Sequence, residues 1–183
     1  NGVCVLTQAL PRELAVACRL VVDRAIGKLE AKLTAEAKPG ATRYKVRATV
    51  GSMDEGALGD AAFHGRALWL PLVRAALGAD AQELWRGALD NRPGSGVQDW
   101  HRDGERMPFE QEVDAAAMDC LTVFVPLTDV QVADGPTEFL LESHHGAAMY
   151  ESAESVAAEG ELRAYAPCLS AGSAVIFDFR TVH

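Results

Sequence analysis

Positive charge is scarce in this chain of 183 residues: 17 lysines and arginines face 26 aspartates and glutamates, a net charge of −9. Phosphate backbones and anionic lipid surfaces are bound through basic patches, so this balance excludes a general nucleic-acid or anionic-membrane binder. It leaves room for an anionic small molecule in a local basic pocket. Long apolar runs are absent. The longest, Ala67–Leu77, is interrupted by Pro71 and Arg74 and falls short of the about 20 residues that span a bilayer. Cysteines are few and scattered. Cys4, Cys18, Cys120 and Cys168 form no Cys-x-x-Cys pair, which speaks against a zinc site and for reduced, mostly buried thiols of an intracellular protein. The opening Asn-Gly-Val-Cys-Val-Leu has no basic segment leading into an apolar one, so the expected location is the cytoplasm. Internal repeats, low-complexity tracts and a linker are also missing, and one domain over residues 1–183 is expected.

Helical signals come first along the chain and strand signals later. Val3–Leu6 reads as a strand. Pro11 then opens a helix whose apolar positions (Leu14, Cys18, Val22, Ile26, Leu29) recur through Leu33, stopped by Lys38-Pro39-Gly40. Tyr44–Val50 alternates like a strand, and Gly51–Gly59 reads as a loop. Ala67–Leu77 is expected to be helical, Ala81–Trp85 a short helix, and Trp85–Asn91 a strand. Beyond Arg92-Pro93-Gly94-Ser95-Gly96, strands are expected at Val97–His101, Leu121–Leu127, Glu138–Leu141 and Ala174–Phe179. Asp134-Gly135-Pro136 is a turn signal and Ser152–Gly160 a loop or short helix. The order implies an α+β fold with an N-terminal helical layer on a sheet or β-barrel.

Chemistry concentrates in Gln98-Asp99-Trp100-His101-Arg102-Asp103-Gly104. On a strand, His101 and Asp103 share a face. An imidazole and a carboxylate there are two thirds of the two-histidine, one-carboxylate triad of non-haem Fe(II) oxygenases. His183, at the end of the strand-like run from Ser173, offers the third ligand; His144 and His145 are rivals for that place. Read alone, His101 and Asp103 are equally an exposed pair after a Pro-Gly-Ser turn, and His64 a solvated side chain. Alternation turns Trp100 and Arg102 away from the ligand face, Trp100 into the core and Arg102 into a structural salt bridge. Arg43, Lys45 and Arg47 alternate on one strand face, as a solvated edge or a grip on an anionic substrate.

Three segments in this order carry a resemblance: His101-Arg102-Asp103; Gly135-Pro136-Thr137-Glu138-Phe139 followed by Ser143-His144; and Ala171-Gly172-Ser173-Ala174-Val175-Ile176-Phe177-Asp178 leading to His183. Together they resemble the phytanoyl-CoA dioxygenase-like family of Fe(II)- and 2-oxoglutarate-dependent oxygenases. The resemblance implies a double-stranded β-helix, a jelly-roll or cupin-like barrel. It implies His101, Asp103 and His183 as the iron ligands. It also implies a co-substrate contact at Gln98, with Asp99 as the alternative register, and another at the Thr137 hydroxyl. The reaction implied is hydroxylation of a small organic molecule by O2, with 2-oxoglutarate converted to succinate and CO2. An aspartate at 103, where related halogenases carry a small residue, favours hydroxylation over halogenation. The family's arginine for the far carboxylate of 2-oxoglutarate comes after the distal histidine, so it and the C-terminal strands are expected beyond His183. The second expectation is a cupin-like metal protein without 2-oxoglutarate chemistry, and the third a scaffold that binds no metal.

Overall fold

A computed structural model describes residues 1–35, 47–51, 56–60, 63, 65–104, 119–145 and 152–183. In chain order its elements are β1 (Val3–Leu6), α1 (Arg12–Ala35), β2 (Arg47–Gly51), α2 (Leu70–Leu77), β3 (Gly87–Asn91), β4 (Leu121–Phe124), β5 (Phe139–Leu140), α3 (Ala153–Glu159), β6 (Ala164–Tyr165) and β7 (Ala174–Asp178). Short 3₁₀ turns occupy Gly56–Gly59 and Val132–Asp134. The described strands are all antiparallel: a three-stranded sheet of order β1-β7-β4, and two pairs, β2-β3 and β5-β6. The architecture is thus α+β with small antiparallel sheets.

β7 is the centre. Its sequence, Ala-Val-Ile-Phe-Asp, is buried at every position, the pattern of a strand covered on both faces. Register assigns its neighbours. Val5 and Phe124 lie opposite Val175, while Val3 and Thr122 lie opposite Phe177. Directly opposed residues in an antiparallel pair point to the same side, so these six share one face. Phe139 of β5 closes over it, and Phe139, Val175 and Phe177 form a cluster with Val3, Val5, Phe124 and Leu169. The Phe124 and Phe177 rings meet edge to face at 4.9 Å, a geometry worth about 0.5–1.5 kcal/mol beyond the area it buries.

The opposite face, carrying Ala174, Ile176, Leu121 and Val123, packs on Ala9, Leu10, Ala67 and Trp69. Leu14 of α1 and Leu70, Leu72 and Val73 of α2 pack against the same cluster. Arg12 opens α1 and grips Asp129 with both guanidinium ends at 2.9 and 3.0 Å, which draws the Asp129 carboxyl down to about 2. The buried stripe Cys18, Val22 and Ile26 then packs on Leu58, as the four-residue spacing requires. Burial pushes the Cys18 thiol up to about 11, so it stays protonated. All four cysteines are free. Cys18 is buried and Cys4 and Cys120 half-buried, but Cys168 is exposed, against the expectation of mostly buried thiols.

Several boundaries differ from the expected ones. α2 starts at Leu70, with Pro71 in its first turn, because proline is tolerated only where its missing N–H is not needed. Ala81–Trp85 is irregular instead of helical. β4 stops at Phe124, two residues before Pro126, which cannot donate to a ladder. Ser152–Gly160 resolves into α3, capped by the Ser152 hydroxyl accepting from Ser155 N–H and ended by Gly160 in the left-handed region. The expected strand from Tyr44 is described only from Arg47 onward, and most of the loop Gly104–Met118 lies outside the described residues. Among the described residues no helix is long and apolar enough to cross a membrane.

Candidate metal centre

The segment after β7 carries His183 back to the His101 segment. The His101 N–H donates to the His183 carbonyl, and the His183 N–H donates to the His101 carbonyl, both at 2.9 Å. Such a reciprocal exchange marks two directly opposed residues of an antiparallel pair, with side chains on one side. No strand forms over Val97–His101 as a whole; this single pair supplies the local geometry. On its other side the terminal segment is held by β5 and the turn after it. The Leu140 N–H donates to the Val182 carbonyl at 2.9 Å. The Ser143 hydroxyl accepts from Val182 N–H at 2.8 Å and donates to the Leu140 carbonyl at 2.7 Å.

This frame brings three side chains together. One ligand atom from each of His101, Asp103 and His183 lies within 4.8 Å of the other two, the one such group of histidine, cysteine and acidic residues among the described residues. His183 Nε2 is 3.7 Å from Asp103 Oδ1, and the two imidazole centroids are 4.5 Å apart. The rest of each side chain is already engaged. His101 Nδ1 lies 2.9 Å from the Asp99 carbonyl and His183 Nδ1 3.0 Å from the Thr181 carbonyl. A carbonyl only accepts, so each Nδ1 carries a proton and each Nε2 presents its lone pair. The Thr122 hydroxyl donates to Asp103 Oδ2 at 2.8 Å, leaving Oδ1 toward the histidines.

His183 is 4% exposed at its side chain and Asp103 27%. Burial holds the His183 imidazole below its usual range; neighbouring His101 adds to this, and the Thr181 carbonyl and the Asp103 carboxylate oppose it. The ring is therefore neutral at neutral pH, the form a metal binds. Phe177, Phe139 and Phe124 surround it at centroid distances of 5.0, 5.8 and 6.2 Å. One side of the centre is thus an apolar wall, and the Asp103 side opens outward.

Behind the three converging side chains, Asp178 fixes the turn out of β7. It accepts from the Arg180 backbone N–H and Nε, each at 2.9 Å, and from the far guanidinium nitrogen at 2.7 Å. Burial works to raise the Asp178 carboxyl, but these bonds outweigh it and hold it below its ordinary value. Arg102 Nε donates to the Arg180 carbonyl at 2.9 Å, a hydrogen bond to the backbone of the turn. Trp100 packs with Leu140, Val156 and Val182, as its alternation implies. Gly104 makes room for Phe179: a Cβ there would come within 2.8 Å of two ring carbons and closer still to a third.

The remaining candidates fall elsewhere. Gln98 and Thr137 are exposed; Gln98 precedes His101 by three residues, and Thr137 precedes Phe139 by two. His144 and His145 meet edge to face at 4.5 Å and are outside the converging group. His64, Arg43 and Lys45 lie outside the described residues, and the side chain of Arg47 is not described either. The residues that sequence reading missed are Thr122, Phe124 and Phe177. Alternation in Leu-Thr-Val-Phe pairs Thr122 with Phe124 on one face, but only the register against β7 turns that face toward His183.

Two imidazole nitrogens and one carboxylate oxygen, with the centre open beyond Asp103, are a donor set that fits ferrous iron. The family model for phytanoyl-CoA dioxygenase (PhyH) matches residues 1–183, the whole of the sequence. That family has a cupin-like jelly-roll fold, and its function is in general that of an Fe(II)/2-oxoglutarate-type oxygenase. With its full length matched and its His-x-Asp and distal histidine gathered at one point, this chain belongs to the phytanoyl-CoA dioxygenase family.

Proposed function

We propose that this protein is an Fe(II)- and 2-oxoglutarate-dependent dioxygenase that hydroxylates a small organic substrate, releasing succinate and CO2. The observation that carries the reading is the convergence of His101, Asp103 and His183 within 4.8 Å, each with its non-ligating polar atom already bonded. In this reading His101 Nε2, His183 Nε2 and Asp103 Oδ1 hold the iron. Bound iron supplies the activation of O2 that couples 2-oxoglutarate decarboxylation to substrate hydroxylation.

The chain's own residues do the rest. The Asp99 and Thr181 carbonyls keep both rings in the tautomer that offers Nε2. Asp103 offsets part of the metal's charge. Phe124, Phe139 and Phe177 keep water from the buried side, which strengthens every charge interaction within. Gln98 and Thr137 are the proposed 2-oxoglutarate contacts. The β1-β7-β4 sheet and the β5-β6 pair, brought together around Phe139, support a double-stranded β-helix.

The test is anaerobic loading of the protein with Fe(II), followed by 2-oxoglutarate and then O2. A visible charge-transfer band on adding 2-oxoglutarate and succinate formation on adding O2, both lost in His101→Ala, are expected. Iron binding with neither response would instead favour the second reading, a cupin-like metal protein. Failure to bind any divalent ion would defeat both.

A further inference from the structure

Three side chains converge on the centre, and three groups hold them from behind. Two of the holding groups are backbone carbonyls, those of Asp99 and Thr181. Backbone carbonyls survive any substitution. The third is a side chain, the Thr122 hydroxyl, 2.8 Å from Asp103 Oδ2. We infer that Thr122 is a positioning residue of the metal centre: it selects Oδ1 of Asp103 as the single ligating oxygen and keeps the carboxylate from turning both oxygens to the ion. The inference rests on the proposed ligand role of Asp103 and deepens it.

Strand register makes Thr122 available for this. It lies opposite Phe177 in the β4-β7 pair, and the Phe177 ring is 5.0 Å from His183. The Thr122 side chain is therefore on the face of the sheet that looks toward the centre, where it reaches a residue 19 positions earlier in the chain. Threonine suits the place twice. Its β-branch fits a strand, and its hydroxyl has one proton, enough to occupy one carboxylate oxygen and leave the other. Oδ1 then faces His183 Nε2 at 3.7 Å. A carboxylate free at both oxygens can bind a metal through either one or both. Taking up a second coordination position would close one of the three left open by a facial triad. Thr122 thus bears on how many positions stay open, not only on how tightly the ion is held. Outer partners of this kind typically contribute about 10–100-fold in metal affinity.

The experiment compares wild type, Thr122→Val and Thr122→Ser by titration of the metal-free protein with Co(II), following heat and the visible ligand-field spectrum. Valine keeps the branched shape and removes the hydroxyl; serine keeps the hydroxyl. Thr122→Val should bind Co(II) about tenfold more weakly, with a changed ligand-field spectrum that reports a different coordination number. Thr122→Ser should restore both the affinity and the spectrum, and the three proteins should unfold alike without metal. Wild-type affinity and spectrum in Thr122→Val would overturn the role of Thr122 while leaving the three ligands intact. A loss in Thr122→Val that Thr122→Ser fails to restore, or that matches its loss of metal-free stability, would overturn it in favour of packing. If wild type binds no Co(II), the ligand reading itself fails, and the inference with it.

Discussion

His101 and His183 are opposite members of one antiparallel pair, joined by two backbone hydrogen bonds of 2.9 Å although 82 residues apart in the chain. The pairing makes the centre a property of the backbone. Two imidazoles on directly opposed residues must leave the ladder on the same side, and the carboxylate two residues after His101 follows them. The geometry thus depends on whatever holds the segment 181–183 against its neighbours.

Ser143 is one such holder. It is fully buried, and its hydroxyl accepts from Val182 N–H while donating to the Leu140 carbonyl. Ser143→Ala leaves a buried N–H without its acceptor, at a cost of about 1–3 kcal/mol. Urea unfolding of the metal-free protein should show that loss, and Co(II) affinity should fall with it because His183 is the next residue. Unchanged stability would mean that Val182 does not depend on this bond.

Gly104 is a second. Alanine there places a methyl against the Phe179 ring, and overpacking of this kind costs about 1–3 kcal/mol. The strain falls on the residue that follows Asp103, so Gly104→Ala should weaken Co(II) binding as well as stability. Shrinking the ring with Phe179→Leu in the same chain should recover part of both. A double-mutant cycle with no coupling between the two positions would refute the contact.

Asp178 and Arg180 form a nearly buried pair, with side chains 1% and 12% exposed. Asp178→Asn removes the buried carboxylate from this pair, and breaking one side of such a pair costs about 3–5 kcal/mol. There is also an acid signature. The folded-state Asp178 carboxyl is held low, so its contribution is present above the unfolded value of about 3.9 and is lost as pH falls through the folded value. The stability difference between wild type and Asp178→Asn should therefore shrink below about pH 4. A difference that stays constant down to acid unfolding would count against the ion pair.

His144 sets a pH dependence nearer neutrality. Burial lowers its imidazole below the ordinary 6.5, with His145, the N-terminal amine and Arg180 adding to this and Asp178 opposing it. As pH falls through about 6.5 the unfolded chain takes up this proton first. Stability should decline from there and level off below the folded value. Lowered His183 acts with the same sign. Replacing His144 with glutamine should flatten part of the decline in metal-free unfolding measured from pH 7.5 to 5. An unaltered slope would show that His144 takes up its proton equally in both states.

Local chemistry was legible from the residues alone. The period of α1 gave its buried stripe, because a helix repeats its face every three to four residues whatever it packs on. The apolar run of β7 marked a strand; that it is buried at every position came only with the structure. His101 and Asp103, two apart, named two candidate ligands, and the family resemblance named His183 as the third candidate. Tertiary structure decided how they meet. That Val182 threads between Leu140 and His101, that Thr122 rather than Val123 faces the centre, and that Gly104 lies under Phe179 all follow from pairings between segments far apart in sequence. A strand's pattern shows which residues share a face, but not which neighbour that face will meet. That is fixed only when the whole chain satisfies its backbone hydrogen bonds and closes its core at once.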